Sequence, residues 1–225
     1  MPHNKITLGI ATLLVGGCIA LNAGVIASST FDTSDEGWKN GNFDGLTPSP
    51  TSVNYLASGG NPGGQIQVSD NYSWNAFLAP SDYLGNQSAA YLGTLSFDIY
   101  DTLTDSSSPS SVVMISDGTT FLYSPQVNDN LALGPPWNSM SLQFLASTGW
   151  TTSPGGSGVA TEAQMQSVLS NLQVLAIQAD WHNGADDVHL DNVVFSDGIS
   201  TPEPVSGLLL LAGISGIAVW RRNRQ

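Results

Sequence analysis

The chain has 225 residues, a single cysteine and a formal net charge of −13 at pH 7, from 18 acidic and five basic side chains. A protein this acidic repels phosphate backbones, so we exclude nucleic acid as a partner. Because the single cysteine, Cys18, lies near the N-terminus, the domain that follows has no disulfide available and must be stabilised by its core.

Residues 1–27 are predicted to be a secretory signal peptide. Lys5 ends a short basic region, and an apolar stretch rich in small residues continues to Ala27. Val25 and Ala27, at the third-last and last positions, fit cleavage by signal peptidase after Ala27. Val15–Cys18 also resembles a lipoprotein cleavage box, and this alternative stays open.

Residues 28–200 are predicted to form one all-β domain, a jelly-roll β-sandwich. Short β-prone runs recur at intervals of roughly ten residues between Gly, Ser, Asn and Pro, which is typical of a sandwich rather than of βαβ units. Apolar and polar residues alternate in three predicted strands: Tyr91–Ile99, Met140–Phe144 and Leu175–Trp181. Asp117-Gly118 predicts a hairpin turn, and the glycine-rich run Gly59–Gly64 predicts a loop between strands.

One short amphipathic helix is expected within this domain. Thr161 and Gln164 have the spacing of a capping box, and apolar residues follow at helical intervals. We expect this helix to cover an edge or an open end of the sandwich.

The last strand contains a break in its alternation. Val188 and Leu190 are in one phase, whereas Val193 and Phe195 are in the opposite phase. One extra residue at Asp191-Asn192 would account for this change, so we predict a β-bulge or a ligated turn there.

Residues 201–225 have three parts with different chemistry. Thr201–Pro204 reads Thr-Pro-Glu-Pro and is followed by the uncharged run Val205–Trp220. As a helix, these sixteen residues would span about 24 Å, slightly less than the ~30 Å hydrocarbon core of a bilayer. The basic stub 221–225 would keep its end in the cytoplasm, with residues 1–204 facing outward. Its cationic residues are Arg221, Arg222 and Arg224.

This tail closely resembles the PEP-CTERM sorting signal of Gram-negative bacteria, with Pro202, Glu203 and Pro204 as the motif. The resemblance implies recognition by a membrane protease of the exosortase class. It also implies transient insertion of the tail in the inner membrane, cleavage near the motif, and release or attachment at the cell surface.

Several stretches of residues 30–198 resemble, in order, the laminin B domain, also called laminin domain IV. They are Phe31, Gly37-Trp38, Gly59–Gly64 with Asp70, Phe77–Pro80, Tyr83–Asn86, Ala90-Tyr91, Leu95–Asp98, Gly149-Trp150, Val168–Leu172 and Leu190–Val193. The resemblance implies a jelly-roll sandwich related to carbohydrate-binding modules, acting in extracellular matrix rather than in catalysis.

A structural calcium ion is the predicted metal. Calcium binds carboxylate, amide and carbonyl oxygens, and related jelly-roll modules often use it to join the first strand to the last. Asp32 on the first strand and Asp191 at the phase break would bind it, with Asp187 or Asn192 as further ligands. Alternatively, Asp191 and Asn192 hydrogen-bond the bulge without a metal.

His189 is expected to be a surface histidine beside a turn.

Sugar rings stack on exposed aromatic side chains. Trp74 and Trp137 are the candidates for such stacking because both are close to predicted loops.

Taken together, the sequence features predict a non-catalytic exported protein, associated with exopolysaccharide or biofilm. The first alternative is a carbohydrate-binding module specific for one glycan. The second alternative is an uncharacterised hydrolase. It would need a carboxylate pair such as Asp98 with Asp101 or Asp180 with Asp187.

Overall fold

The computed structural model describes residues 21–44, 47, 49–69, 72–102, 111–125, 137–181 and 187–202. The chain divides into one unit of residues 23–200 and another made of residues 1–22 and 201–225. Most of the predicted signal peptide, the predicted membrane helix and the basic stub lie outside the described residues. Within those residues, no helix has the length and apolar character needed to cross a bilayer.

Twelve strands, one α-helix and three short 3₁₀-helices (Ser81–Tyr83, Ser88–Ala90 and Ala146–Thr148) make up the regular structure of the described residues. The strands are β1 (Leu21–Ser29), β2 (Lys39–Asn42), β3 (Thr51–Ser52), β4 (Asn54–Gly60), β5 (Gly63–Ser69), β6 (Asn75–Leu78), β7 (Thr94–Asp101), β8 (Val113–Ser116), β9 (Phe121–Tyr123), β10 (Asn138–Gln143), β11 (Val174–Gln178) and β12 (Asp187–Pro202). The helix α1 (Glu162–Ser170) lies between β10 and β11 in the sequence.

Two antiparallel sheets form the predicted β-sandwich, which is therefore confirmed. The first sheet has the order β10-β7-β12-β5-β4, and β1 pairs with β12 beside it. The second sheet has the order β3-β2-β6-β11-β8-β9. The long strand β12 is thus central to the first sheet, since it pairs with three others.

The main hydrophobic core contains the alternating apolar residues of both sheets. Leu95, Phe97 and Ile99 of β7 are buried there, as their alternation predicts. Helix α1 contributes Met165, Val168 and Leu169 to the same core. The predicted capping box is confirmed, since the Thr161 side chain accepts from the Gln164 backbone N–H and the Gln164 side chain accepts from the Thr161 N–H.

The loop predicted for Gly59–Gly64 is wrong, because strand β4 continues to Gly60 and β5 begins at Gly63. Only Asn61 and Pro62 remain as the turn of this hairpin. A Cβ atom added to Gly60 would lie 1.9 Å from the Gly64 carbonyl oxygen. Gly60 is therefore required because the backbones of the two strands approach closely at this position.

The predicted bulge in β12 is confirmed. Its pairing with β7 shifts register between Asp191 and Val194. Asn192 has a φ angle of 51°, in the left-handed region that asparagine tolerates better than most residues. Because of the extra residue, Leu190 and Val193 both face the core despite their opposite phases.

Candidate functional site

A row of polar and aromatic side chains crosses the outer face of the first sheet. Asn54 of β4 pairs with Gln67 of β5, which pairs with His189 of β12, which pairs with Tyr100 of β7. Trp137, directly before β10, packs on Tyr100. These five residues are the polar-aromatic row.

The alternation of each strand explains why the row faces outward. Successive side chains in a strand point to opposite faces of the sheet. Ile66, Ile99 and Leu190 are neighbours of row residues in the sequence, and all three are buried in the core. The hydrophobic pattern that fixes these strands therefore also places the row on the opposite face.

The aromatic rings of the row are in direct contact. The Tyr100 and His189 rings are stacked, with centroids 4.3 Å apart and planes 4° from parallel. The Trp137 ring stands at 89° to Tyr100 with a centroid distance of 4.5 Å. Tyr100 and Trp137 are half-buried, so part of each aromatic surface faces solvent.

His189 is the buried centre of the row, with only 5% of its surface exposed. Its Nδ1 lies 2.9 Å from Gln65 Oε1, and the Gln65 amide nitrogen donates to the Ser58 carbonyl. Gln65 Oε1 therefore accepts, and Nδ1 carries the imidazole proton. Burial lowers the pKa of His189, although the Asp187 carboxylate, 3.8 Å from Nε2, opposes this effect.

Amide and carboxylate groups flank the aromatic part of the row. The Gln67 side-chain amide donates to the Asp187 carboxylate, and Asn54 Nδ2 donates to Gln67 Oε1 at 2.7 Å. Burial raises the pKa of Tyr100, so its phenol stays neutral and can donate a hydrogen bond. Aromatic surface beside amides, a phenol and a carboxylate suits a polyhydroxylated ligand such as a sugar.

The bulge forms a second polar cluster on the same sheet. Asp191 is fully buried, and its carboxylate accepts from the backbone N–H groups of Asn61 at 2.6 Å and Asn192 at 2.7 Å. Burial raises the pKa of Asp191, with further contributions from the carboxylates of Asp98 and Asp32. Asp98 in turn accepts from the side-chain amides of Asn61 and Asn192, at 3.1 Å and 2.8 Å.

Comparison with known proteins identifies the domain. The Laminin B (Domain IV) family matches residues 76–206. The chain belongs to this family. The L4b domain of human laminin alpha-2 has a similar structure, with a TM-score of 0.57 and 11% sequence identity over 77% of this chain and 98% of that domain.

Two further solved structures resemble this laminin B domain at lower TM-scores. The CBM22-1 xylan-binding domain of Paenibacillus barcinonensis Xyn10C has a TM-score of 0.45 and 14% identity, over 81% of this chain and 99% of that one. The K1 cleaved adhesin domain of Lys-gingipain from Porphyromonas gingivalis W83 has a TM-score of 0.40 and 14% identity, over 76% and 97%. Among curated proteins, none matches the chain.

The structure of the laminin B domain separates the two tryptophans proposed as sugar platforms. Trp137 belongs to the row on the first sheet. Trp74 packs edge-to-face on Phe43, with a centroid distance of 4.9 Å, beside the second sheet. The two rings therefore lie on different sheets, and of the two only Trp137 belongs to the polar-aromatic row.

The residues predicted to bind calcium are only partly brought together. Asp191 and Asn192 meet at the bulge, and Asp32 is close enough for its charge to affect the pKa of Asp191. Asp187 lies instead in contact with the row, beside His189. Within the described ranges, no group of three or more His, Cys, Asp or Glu side chains has a metal-binding arrangement. The calcium site stays a prediction.

The carboxylate pair Asp98 and Asp101 is not arranged as a glycosidase pair. The two residues are three positions apart on β7, so their side chains point to opposite faces of the sheet. Asp98 meets the bulge, whereas Asp101 pairs with the core residue Val188.

Sequence reasoning missed most of the row. His189 was expected at the surface but is buried between Tyr100 and Gln65. A usable signal was present, because Gln65 and Gln67 alternate with core residues, and polar residues in such positions mark an outward face. What the local pattern could not show was that these outward positions on four strands are opposite one another.

Proposed function

We propose that this protein is a non-catalytic protein of the cell surface or extracellular matrix. The observation that carries the proposal is its membership of the laminin B family, with the fold of a human laminin domain. Laminin domains function outside the cell, which supports export. The chain has only five basic residues against 18 acidic ones, so its negative charge disfavours binding to an anionic lipid surface.

We propose that the two ends of the chain direct this export in a Gram-negative bacterium. A signal peptide starts translocation, and the PEP-CTERM tail holds the protein transiently in the inner membrane until an exosortase-type protease cuts it. The position of β12 supports cleavage at the motif after the domain has folded, because the strand ends at Pro202, the first residue of the motif. Cleavage after the motif would leave β12 complete. The product would be released or attached among exopolysaccharides of the cell surface or biofilm.

Mass spectrometry of the protein from a host that carries the protease tests this sorting. We expect no peptide beyond about Pro204. Replacing Glu203 and Pro204 by alanine should leave the precursor in the inner membrane, whereas Thr201→Val should be processed normally. An intact C-terminus containing Arg221 to Arg224 in the mature protein would contradict the proposal.

Glycan binding is the second candidate function, and the polar-aromatic row favours it. Trp137 and Tyr100 supply aromatic surface, while Gln67, Asn54 and Asp187 supply hydrogen-bonding groups at one end. Because the chain is strongly acidic, a neutral glycan fits this face better than a sulfated or uronic-acid polymer.

An array of neutral and anionic polysaccharides, probed with the folded domain, tests the glycan candidate. We expect binding to one or more neutral glycans and none to anionic ones. Absence of binding to every glycan would leave the structural matrix role alone.

A further inference from the structure

Strand β1 overlaps the region predicted to be removed as a signal peptide. It spans nine residues, Leu21–Ser29. Cleavage after Ala27 would leave only Ser28 and Ser29 of this strand in the mature protein.

The residues that such a cut would remove make specific contacts within the sandwich. The Gly24 backbone N–H donates to the Asp197 carboxylate of β12 at 2.7 Å. A Cβ atom on Gly24 would lie 2.8 Å from the same carboxylate, so the Asp197 side chain occupies the space beside Gly24. Ala27 is 9% exposed and belongs to the main core, against which Ile26 also packs. The last part of β1 is therefore integral to the domain.

The sequence before β1 contains a second cleavage site, which would leave this strand whole. A signal peptide has an apolar region of about 7–15 residues followed by small residues at the third-last and last positions. Ile6–Val15 is an apolar region of ten residues, and Cys18 and Ala20 are the small residues that follow at the required spacing.

We propose that signal peptidase cleaves after Ala20, so that the mature protein begins at Leu21, the first residue of β1. This inference rests on the proposed export through a signal peptide. The leader is then residues 1–20, and the strand that pairs with β12 is kept whole.

N-terminal sequencing and intact mass of the full-length protein, exported by a Gram-negative host, test the site. We expect the sequence to begin Leu-Asn-Ala. A start at Ser28 would overturn the proposal, and so would a lipid-modified Cys18. An uncleaved N-terminus at Met1 would overturn the proposed export itself, so the two failures are distinguishable.

Two matched substitutions give a second readout that does not depend on sequencing. Ile26→Thr removes apolar surface that packs on the core, whereas Val25→Thr changes a side chain that is 62% exposed. If β1 remains in the mature protein, Ile26→Thr lowers its Tm by about 3–6 °C and Val25→Thr changes it by less than about 1 °C. Identical Tm values for both variants and the unsubstituted protein would show that β1 is removed, against the proposal.

Discussion

The outer faces of the two sheets differ in chemistry although the same alternation builds both. On the second sheet, the outward residues form a small apolar cluster that is itself buried: Phe43, Ala76, Met114, Tyr123 and Ala176. On the first sheet, the corresponding positions hold the polar-aromatic row. Each face includes one half-buried tryptophan, Trp74 or Trp137. The neighbours of each tryptophan, rather than the tryptophan alone, are therefore what separates the packed face from the face for which we propose glycan binding.

The largest expected effect is the loss of stability caused by a substitution in the apolar cluster of the second sheet. Phe43 is fully buried against Trp74 and Tyr123, so Phe43→Ala should reduce the free energy of unfolding by about 3–5 kcal/mol. Urea unfolding measures this loss. Glycan binding by the folded fraction should be unchanged, because the row lies on the other sheet. A loss below about 1 kcal/mol would show that this face is not a packed layer.

The next effect concerns ligand binding. Trp137→Ala should weaken binding to the glycan found on the array by about tenfold, or about 1.4 kcal/mol, because it removes the exposed aromatic surface of the row. Titration calorimetry on the folded variant measures this change.

Trp74→Ala is the matched control for that experiment. It should lower stability, because Trp74 packs on Phe43, and leave glycan affinity unchanged. Equal affinity losses in both variants would mean that the two faces are not functionally different, contrary to our interpretation.

The contrast between the faces also shows what the sequence could and could not predict. Local patterns were sufficient for the bulge at Asp191-Asn192 and for the capping box of α1, because each depends on residues close together in the chain. The row depends on pairing between β4, β5, β12 and β7. Asn54 and His189 are 135 positions apart in the sequence, and no local signal specifies which outward residues become neighbours.

The pH dependence of stability gives a further test of the face that carries the row, because His189 lies on it. Burial lowers the pKa of folded His189 below the ordinary value of about 6.5. Between these two values the unfolded chain binds more protons, so the free energy of unfolding falls as the pH drops below about 6.5, by at most about 1.4 kcal/mol per pH unit. The Asp187 carboxylate, which favours the charged ring, reduces this slope.

Melting curves from pH 8 to pH 5 test whether stability falls with pH as predicted, with His189→Gln as the comparison. The glutamine variant should lose less stability over this range than the unsubstituted protein. Asp191, whose pKa burial raises, acts in the opposite direction, because its unfavourable charge disappears as the pH falls through the folded-state pKa. It is present in both proteins, so the difference between their curves reports His189. A steeper loss in the glutamine variant would contradict the prediction.

The smallest expected effect is that of calcium at the bulge. The Asp191 and Asp98 carboxylates already accept hydrogen bonds, so an ion that relieves their mutual repulsion would add little. We expect saturating calcium to raise the Tm by about 1–2 °C, and a chelator to reverse the shift. Asp32→Asn should abolish the response, whereas Asp187→Asn, whose carboxylate lies beside the row, should keep it. An unchanged midpoint in the unsubstituted protein would mean that hydrogen bonds alone hold the bulge and that the predicted calcium is not part of this domain.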